Sequence, residues 1–171
     1  MNAKSNAHSD NTSNTSSETN SIERSILINA PRERVWSALT NAESFGTWFG
    51  ADLKGQTFAI GKRARGAMGT SCGREEGPDT VWFDIVVERI DPQDLFSYQW
   101  HPYAVVPGVD YSIEQPTLVT FTLKDTANGT LITVLESGFD NVPPHRRAEA
   151  FRMHTGGWEA QLNNLAKHAS A

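Results

Sequence analysis

The stretch His145–His168 reads HRRAEAFRMHTGGWEAQLNNLAKH, and its spacing decides the fold. Phe151, Thr155, Trp158, Leu162 and Leu165 recur at steps of four, three, four and three, which marks one apolar face of an α-helix. Arg147, Glu149, Arg152, Glu159, Gln161, Asn163 and Lys167 occupy the other face, as contact with water requires. At ~1.5 Å per residue the helix is roughly 36 Å long. No other part of the chain can form so long a helix, and most of what precedes it reads as strands. The arrangement that buries its apolar face is a curved antiparallel sheet wrapped around it, with the functional space between the two. Gly156 and Gly157 interrupt the pattern. Each costs ~1 kcal/mol relative to alanine, whereas burying Phe151, Trp158, Leu162 and Leu165 contributes ~1.5–3 kcal/mol apiece. The helix therefore persists, and the glycine pair calls for a reason: a bend, a close backbone approach, or room for a bound molecule.

Working outward, residues 1–20 (MNAKSNAHSDNTSNTSSETN) are almost all Asn, Ser and Thr and have no core-forming residue after Met1. They read as a disordered tail ahead of a single domain over 21–171. Ile22 to Asn29 reads as a first strand. Pro31 then opens a short helix with Val35, Trp36 and Leu39 on one face, and Asn41 caps a second short helix through Trp48. From Ala51 the period becomes two. Phe58 with Ile60 marks a second strand, Arg63 to Met68 a third, and Val81–Glu88 a fourth, with Asp84 and Glu88 on its wet side. Leu95–Trp100 follows as the fifth. His101–Ser112 is a long loop of the kind that forms lids. Thr117–Lys124 and Thr130–Ser137 flank Ala127-Asn128-Gly129, a strong hairpin signal.

The bulk numbers set limits. A chain of 171 residues with a formal charge of −5 builds one core and offers no basic footprint for nucleic acid. Cys72 is the single cysteine, which rules out an intrachain disulfide and a cysteine-rich metal site. No apolar run approaches the ~20 residues of a membrane span, and no secretory signal opens the chain, so a cytoplasmic location without membrane insertion is expected.

Six short motifs fall in one order: INAPRERVWSALTNAESFGTWFG from Ile28, the Asp91-Pro92 turn before LFSYQW, TLVTFTL, the NGT hairpin, TVLESGF, and GGWEAQLNNLAKH from Gly156. Together they resemble the activator-of-heat-shock-ATPase-homologue-like branch of the START-like, or SRPBCC, superfamily, from about Ile22 to His168. The resemblance implies an α+β helix-grip fold, as in the birch-pollen allergen. A seven-stranded curved antiparallel sheet grips the C-terminal helix, two short helices follow strand one, and a cavity lies inside. It also implies a range of functions: hydrophobic-ligand carriers, polyketide cyclases and co-chaperones. The eukaryotic co-chaperones carry a separate N-terminal domain where this chain has an Asn/Ser/Thr tail, so a chaperone partner is the least favoured of the three.

A search for chemistry is mostly negative. There is no P-loop, no GxSxG elbow and no HExxH or His-x-x-x-His pair, so no metal, cofactor or locally marked catalytic residue is expected. Cys72, in a glycine-rich loop, has no evident activating neighbour. His145 and His168 suit the solvent and the helix end. The expected partner is a small hydrophobic molecule, a lipid, polyketide or aromatic metabolite, held by Trp48, Phe58, Trp82, Tyr98, Trp100, Phe121, Phe151 and Trp158, with His154 on the edge of the helix's inner face. Aromatics in such a pattern are plain core more often than pocket. Tyr98, Arg65 and Glu136 are further candidate polar anchors, and a cyclase- or hydrolase-type enzyme would use His154 with Tyr98 or Glu136. The expected function is a carrier or sensor; self-association as a homodimer stays open.

Overall fold

Antiparallel pairing runs unbroken through six strands of a computed structural model, which describes residues 17–69 and 77–171. The elements are β1 (Ser21–Ile28), α1 (Arg32–Thr40), α2 (Ala42–Phe49), β2 (Arg63–Ala67), β3 (Trp82–Asp91), β4 (Leu95–Trp100), β5 (Thr117–Thr126), β6 (Gly129–Ser137) and α3 (Pro144–Ser170). The sheet order is β1-β6-β5-β4-β3-β2. Alternation is clean where it matters: Phe83, Ile85 and Val87 of β3 face inward while Asp84, Val86 and Glu88 face water. A register shift between Val87 and Arg89 puts a bulge into β3 against β4, the device by which a strand bends.

The long helix is continuous through both glycines. Its buried residues are Ala150, Trp158, Leu162, Leu165 and Ala169, and α1, α2 and β1 lie against it. Between helix and sheet lies a layer of rings: Phe45, Phe58, Phe83, Phe96, Tyr98 and Phe121, all buried and in mutual edge or stacked contact. The helix is thus gripped by the concave face, and this is the helix-grip arrangement.

One expectation needs correction. The sheet has six strands, not seven, because the segment around Phe58 and Ile60 does not join it. Turns at Leu53–Gln56 and Ala59–Lys62 break the chain there. Phe58 still plugs the core, but Ile60 is exposed. The edge of β2 is closed by other means: the Gln56 amide donates to the Arg65 carbonyl at 2.7 Å and accepts from the Arg65 N–H at 3.0 Å. One side chain there does the work of a neighbouring strand. Gly66 allows the same segment to run close, since a Cβ would collide with the Asp52 carbonyl. Residues 1–16 of the tail and the loop carrying Cys72 lie outside the described residues; Ser17 donates to Asp140, and the Asn20 carbonyl accepts from Gly138 and Phe139.

The two short helices form as the sequence implies. Asn41 accepts from Ser44 N–H at 2.9 Å, the expected cap. Gly46 is required rather than weakening, because the Ala51 carbonyl occupies the place of its missing side chain. Among the described residues no helix is long and apolar enough to cross a membrane.

Candidate functional site

One end of the concave face is polar. The inward residues at the ends of three neighbouring strands are Trp100 on β4, Thr117 on β5 and Glu136 on β6, with Trp100 paired to Thr117 across the ladder. Across from them α3 supplies His154 and Trp158, four apart and so on one face of the helix. Glu136 is fully buried, and four donors converge on it. Trp100 Nε1 and Thr117 Oγ1 donate to Oε2 at 2.7 and 2.5 Å. His154 Nδ1 and Trp158 Nε1 donate to Oε1 at 2.5 and 2.9 Å. Burial pushes the Glu136 carboxyl upward, but the hydrogen bond from His154, the attraction of the His154 ring when it is charged, and the hydrogen bonds from Thr117 and Trp100 outweigh it and hold the group below the ordinary glutamate value. Glu136 is therefore an ionised carboxylate solvated by protein donors instead of water.

His154 has a fixed tautomer. The backbone N–H of Tyr103 can only donate, and it points at Nε2 at 3.1 Å. Nε2 is thus the unprotonated nitrogen and Nδ1 carries the proton given to Glu136. The Nε2 lone pair is turned toward the segment that follows β4.

That segment, His101 to Pro116, folds over the end of the sheet. Arg146 near the start of α3 grips it: its guanidinium makes a fork to Glu114 at 2.7–2.9 Å and donates to the Pro102 carbonyl at 2.6 Å. The Arg146 guanidinium also lies 4.8 Å over the Tyr111 ring. The Arg146 hydrogen bonds hold Glu114 below the ordinary glutamate value. His101 Nε2 donates to the Glu114 carbonyl at 2.9 Å.

Beneath this segment is a chamber of about 200 Å³. Phe49 and Phe83 form its floor, Trp100 and Trp158 one side, and Tyr103, Ala104 and Val105 the cover. His154, Gly157 and Gln161 line it from α3. A Cβ placed on Gly157 meets nothing within 4 Å, and the same holds for Gly156. With no backbone pressed against the pair among the described residues, close approach falls away as their reason. Both glycines are exposed, and Gly157 stands at the chamber's open rim.

Of the aromatics expected to form a binding wall, Trp82, Trp100 and Trp158 border the chamber, as does His154. Trp48, Phe58, Tyr98, Phe121 and Phe151 do not. Trp48 gives its N–H to the Ala38 carbonyl at 2.9 Å. Phe58, Tyr98 and Phe121 are enclosed in the ring layer, and Phe151 packs on Phe139. These positions are core because neighbouring rings already fill the space a ligand would need. Tyr98 is also unsuited to proton transfer: burial, with Glu136 nearby, pushes its hydroxyl well above the ordinary tyrosine value. Arg65 lies on the outer face, over Trp82 and beside Asp84. The wall residues that sequence did not single out, Tyr103 and Ala104 above all, come from an irregular segment, where no periodicity reports facing. Glu136 had a legible signal: it is in phase with Ile132 and Val134, which are both buried. Among the described residues no group of three or more His, Cys, Asp or Glu could hold a metal.

Known proteins share this architecture. Protein MLL2253 from Mesorhizobium loti superposes with a TM-score of 0.64 at 23% identity, over 86% of this chain and 95% of its own. A solution structure of a protein from Arthrobacter aurescens gives a TM-score of 0.65 at 17% identity, over 90% and 87%. DynU16, a protein in the dynemicin biosynthetic locus, gives 0.62 at 24% identity over 86% of this chain, which spans only 46% of DynU16. At these identities the likeness is one of fold. No curated protein matches the sequence. The family model described as "Activator of Hsp90 ATPase homolog 1-like protein" matches residues 29–170, which takes in every element from α1 to α3, so the chain belongs to the Activator of Hsp90 ATPase homolog 1-like family.

Proposed function

We propose that the protein binds one small, flat, largely apolar molecule in the chamber beside His154, and carries or senses it rather than converting it, as a cytoplasmic protein. The observation that carries this reading is the chamber itself. It is apolar-walled, takes in the bare stretch of α3 at Gly157, and is bordered by the His154 imidazole with its Nε2 lone pair. A volume of about 200 Å³ is somewhat larger than an apolar cavity of ~150 Å³ that takes benzene, and below the ~300 Å³ of a drug-sized pocket. That size fits one ring with a short substituent, not a long lipid chain. The test is native mass spectrometry and calorimetry with single-ring aromatic ligands. One equivalent should bind to the wild type and none to Gly157→Leu, whose side chain fills the space. If Gly157→Leu folds and binds as the wild type does, the site is elsewhere.

The pair His154–Glu136 favours a second reading, an enzyme of the cyclase or hydrolase kind. A carboxylate that orients an imidazole through Nδ1 leaves Nε2 as a general base. Here Nε2 is occupied by the Tyr103 N–H, so catalysis requires the cover to move. Turnover of a bound ligand, lost in His154→Gln without loss of binding, would decide for the enzyme.

A further inference from the structure

We infer that the molecule held in the chamber carries a neutral aromatic hydroxyl, and that this hydroxyl inserts between Tyr103 N–H and His154 Nε2. The inference rests on the binding reading above and specifies its chemistry.

The polar side-chain atoms of the inner wall can be taken one at a time. The indole N–H groups of Trp100 and Trp158 both point away from the chamber's contents and into Glu136. The Gln161 amide donates to the Phe49 carbonyl at 2.9 Å and accepts from Asn164 at 3.2 Å. His101 donates through Nε2 to the Glu114 carbonyl, so its neutral ring has only an acceptor left. His154 gives its one proton to Glu136 and keeps a lone pair. The Tyr103 hydroxyl, which both donates and accepts, and Trp82, half-exposed at the rim under Arg65, complete the set. The indole N–H groups of Trp100 and Trp158 beside His154 are engaged with Glu136, Gln161 keeps one amide N–H and Trp82 its indole N–H farther along the wall, and what His154 itself offers a guest is an acceptor.

That acceptor is already met by the Tyr103 N–H. A guest that simply displaces it leaves either the N–H or the lone pair unsatisfied, a loss of the order of a hydrogen bond. A hydroxyl avoids the loss. Its O–H donates to Nε2 and its oxygen accepts from the N–H, so both groups remain paired. An ether oxygen can only accept and an ammonium can only donate. A carboxylate has no proton to give to Nε2, and the ionised Glu136 stands directly behind His154, which disfavours a second anion. The walls choose the rest of the molecule. Trp100 and Trp158 lie 5.7 Å apart and inclined by 30°, with Phe49 6.3 Å from Trp158, surfaces suited to an aromatic ring.

The experiment is calorimetry on the full wild-type chain with four single-ring probes of similar size: 4-ethylphenol, its isomer 4-methylanisole, 4-methylbenzoate and 4-methylbenzylammonium. The phenol should bind about tenfold or more tighter than its isomer, the worth of one buried hydrogen bond, and the two ions should bind more weakly still. In long-range proton–nitrogen NMR spectra, the His154 Nε2 resonance should shift with the phenol and not with the anisole, while Nδ1 stays protonated. In His154→Phe the phenol and the anisole should bind alike. Because that change also strips Glu136 of a donor and can unfold the chain, the comparison of probes on the wild type decides. Equal affinity for phenol and anisole overturns the inference and leaves the binding reading standing. Tightest binding by either ion does the same. Binding of none of the four overturns both.

Discussion

Glu136 is the residue on which the polar end of the sheet depends, and its replacement by glutamine shows why. The amide keeps the shape but turns one acceptor oxygen into a donor, and each oxygen now receives two donors. Thr117 can rotate its hydroxyl and accept. The Trp100 and Trp158 indoles cannot, and His154 can change tautomer only by aiming a proton at the Tyr103 N–H. At least one buried donor is stranded. Glu136→Gln should therefore destabilise the fold by about 3 kcal/mol at neutral pH, read from urea midpoints. The sign of the pH effect follows from the lowered carboxyl. A group depressed in the folded state stabilises above its unfolded value, near 4.3, and that contribution is lost as pH falls through the folded value. The gap between wild type and Glu136→Gln should hold from neutral pH down to about 4.3 and narrow below it. A gap that widens as pH falls from neutral toward about 4.3 would mean that Glu136 is protonated in the native protein. Tyr98 predicts the opposite outcome. Its hydroxyl is buried and has no hydrogen-bond partner among the described residues, so Tyr98→Phe removes an unsatisfied group from an otherwise well-packed ring. The variant should be as stable as the wild type or more so by about 1 kcal/mol. A loss of that size would show that the hydroxyl is bonded after all.

At the scale of the element, α3 separates two roles that the sequence alone leaves joined. Gly156 and Gly157 are both helical and both have open space where a Cβ would stand. Each change to alanine should stabilise by roughly 1 kcal/mol, from helix propensity and a stiffer unfolded chain. Only Gly157 borders the chamber. Gly156→Ala should leave ligand binding unchanged, whereas Gly157→Ala should weaken binding while raising the melting temperature. Equal effects on binding would remove the chamber from this face of the helix. The same element shows what the sequence can disclose. Spacing in 145–168 revealed the helix, and alternation in Val81–Glu88 revealed which side of β3 is wet, because burial imposes those periods on the residues themselves. The segment at Phe58 misled because Phe58 is buried without being a strand residue. Its turns depend on the close approach of residues 51–56 to β2, a tertiary fact. The chamber was less legible than the fold for a related reason. An aromatic in the ring layer and an aromatic in a chamber wall have the same period, and both have ring neighbours, as Phe121 and Trp158 have in each other; only the packed structure shows which of them borders open space.

At the scale of the whole molecule, the chamber is closed by residues far apart in sequence, and the closure is polar. The cover from His101 to Pro116 has little burial of its own: Val106, Val109 and Ile113 are exposed. A segment with so few buried apolar contacts belongs among the parts of a protein that open locally. What holds it is the fork from Arg146 to Glu114, with both side chains nearly covered at 12% and 11% exposure, and the bond from Tyr103 to His154. Arg146→Ala removes the fork, the bond to Pro102 and the contact with Tyr111 together, and leaves Glu114 without its partner. The chain should remain folded, since the ring layer beneath is untouched, but the cover should open more readily. A loss of about 2 kcal/mol in the closed state corresponds to roughly 30-fold more of the open one. Hydrogen exchange within 103–114 should rise by that factor while the strands keep their protection, and a bound aromatic should dissociate correspondingly faster. Arg146→Lys should recover little, because an ammonium cannot reproduce the planar fork. Acid should act on the wild type in the same direction. Glu114 is held below its ordinary value by Arg146, so the latch is complete above that ordinary value and is lost as pH falls through the lower, folded one. Exchange in 103–114 that is the same in Arg146→Ala as in the wild type would show that the cover is fixed by something other than this pair, and ligand release would then have to proceed by another route.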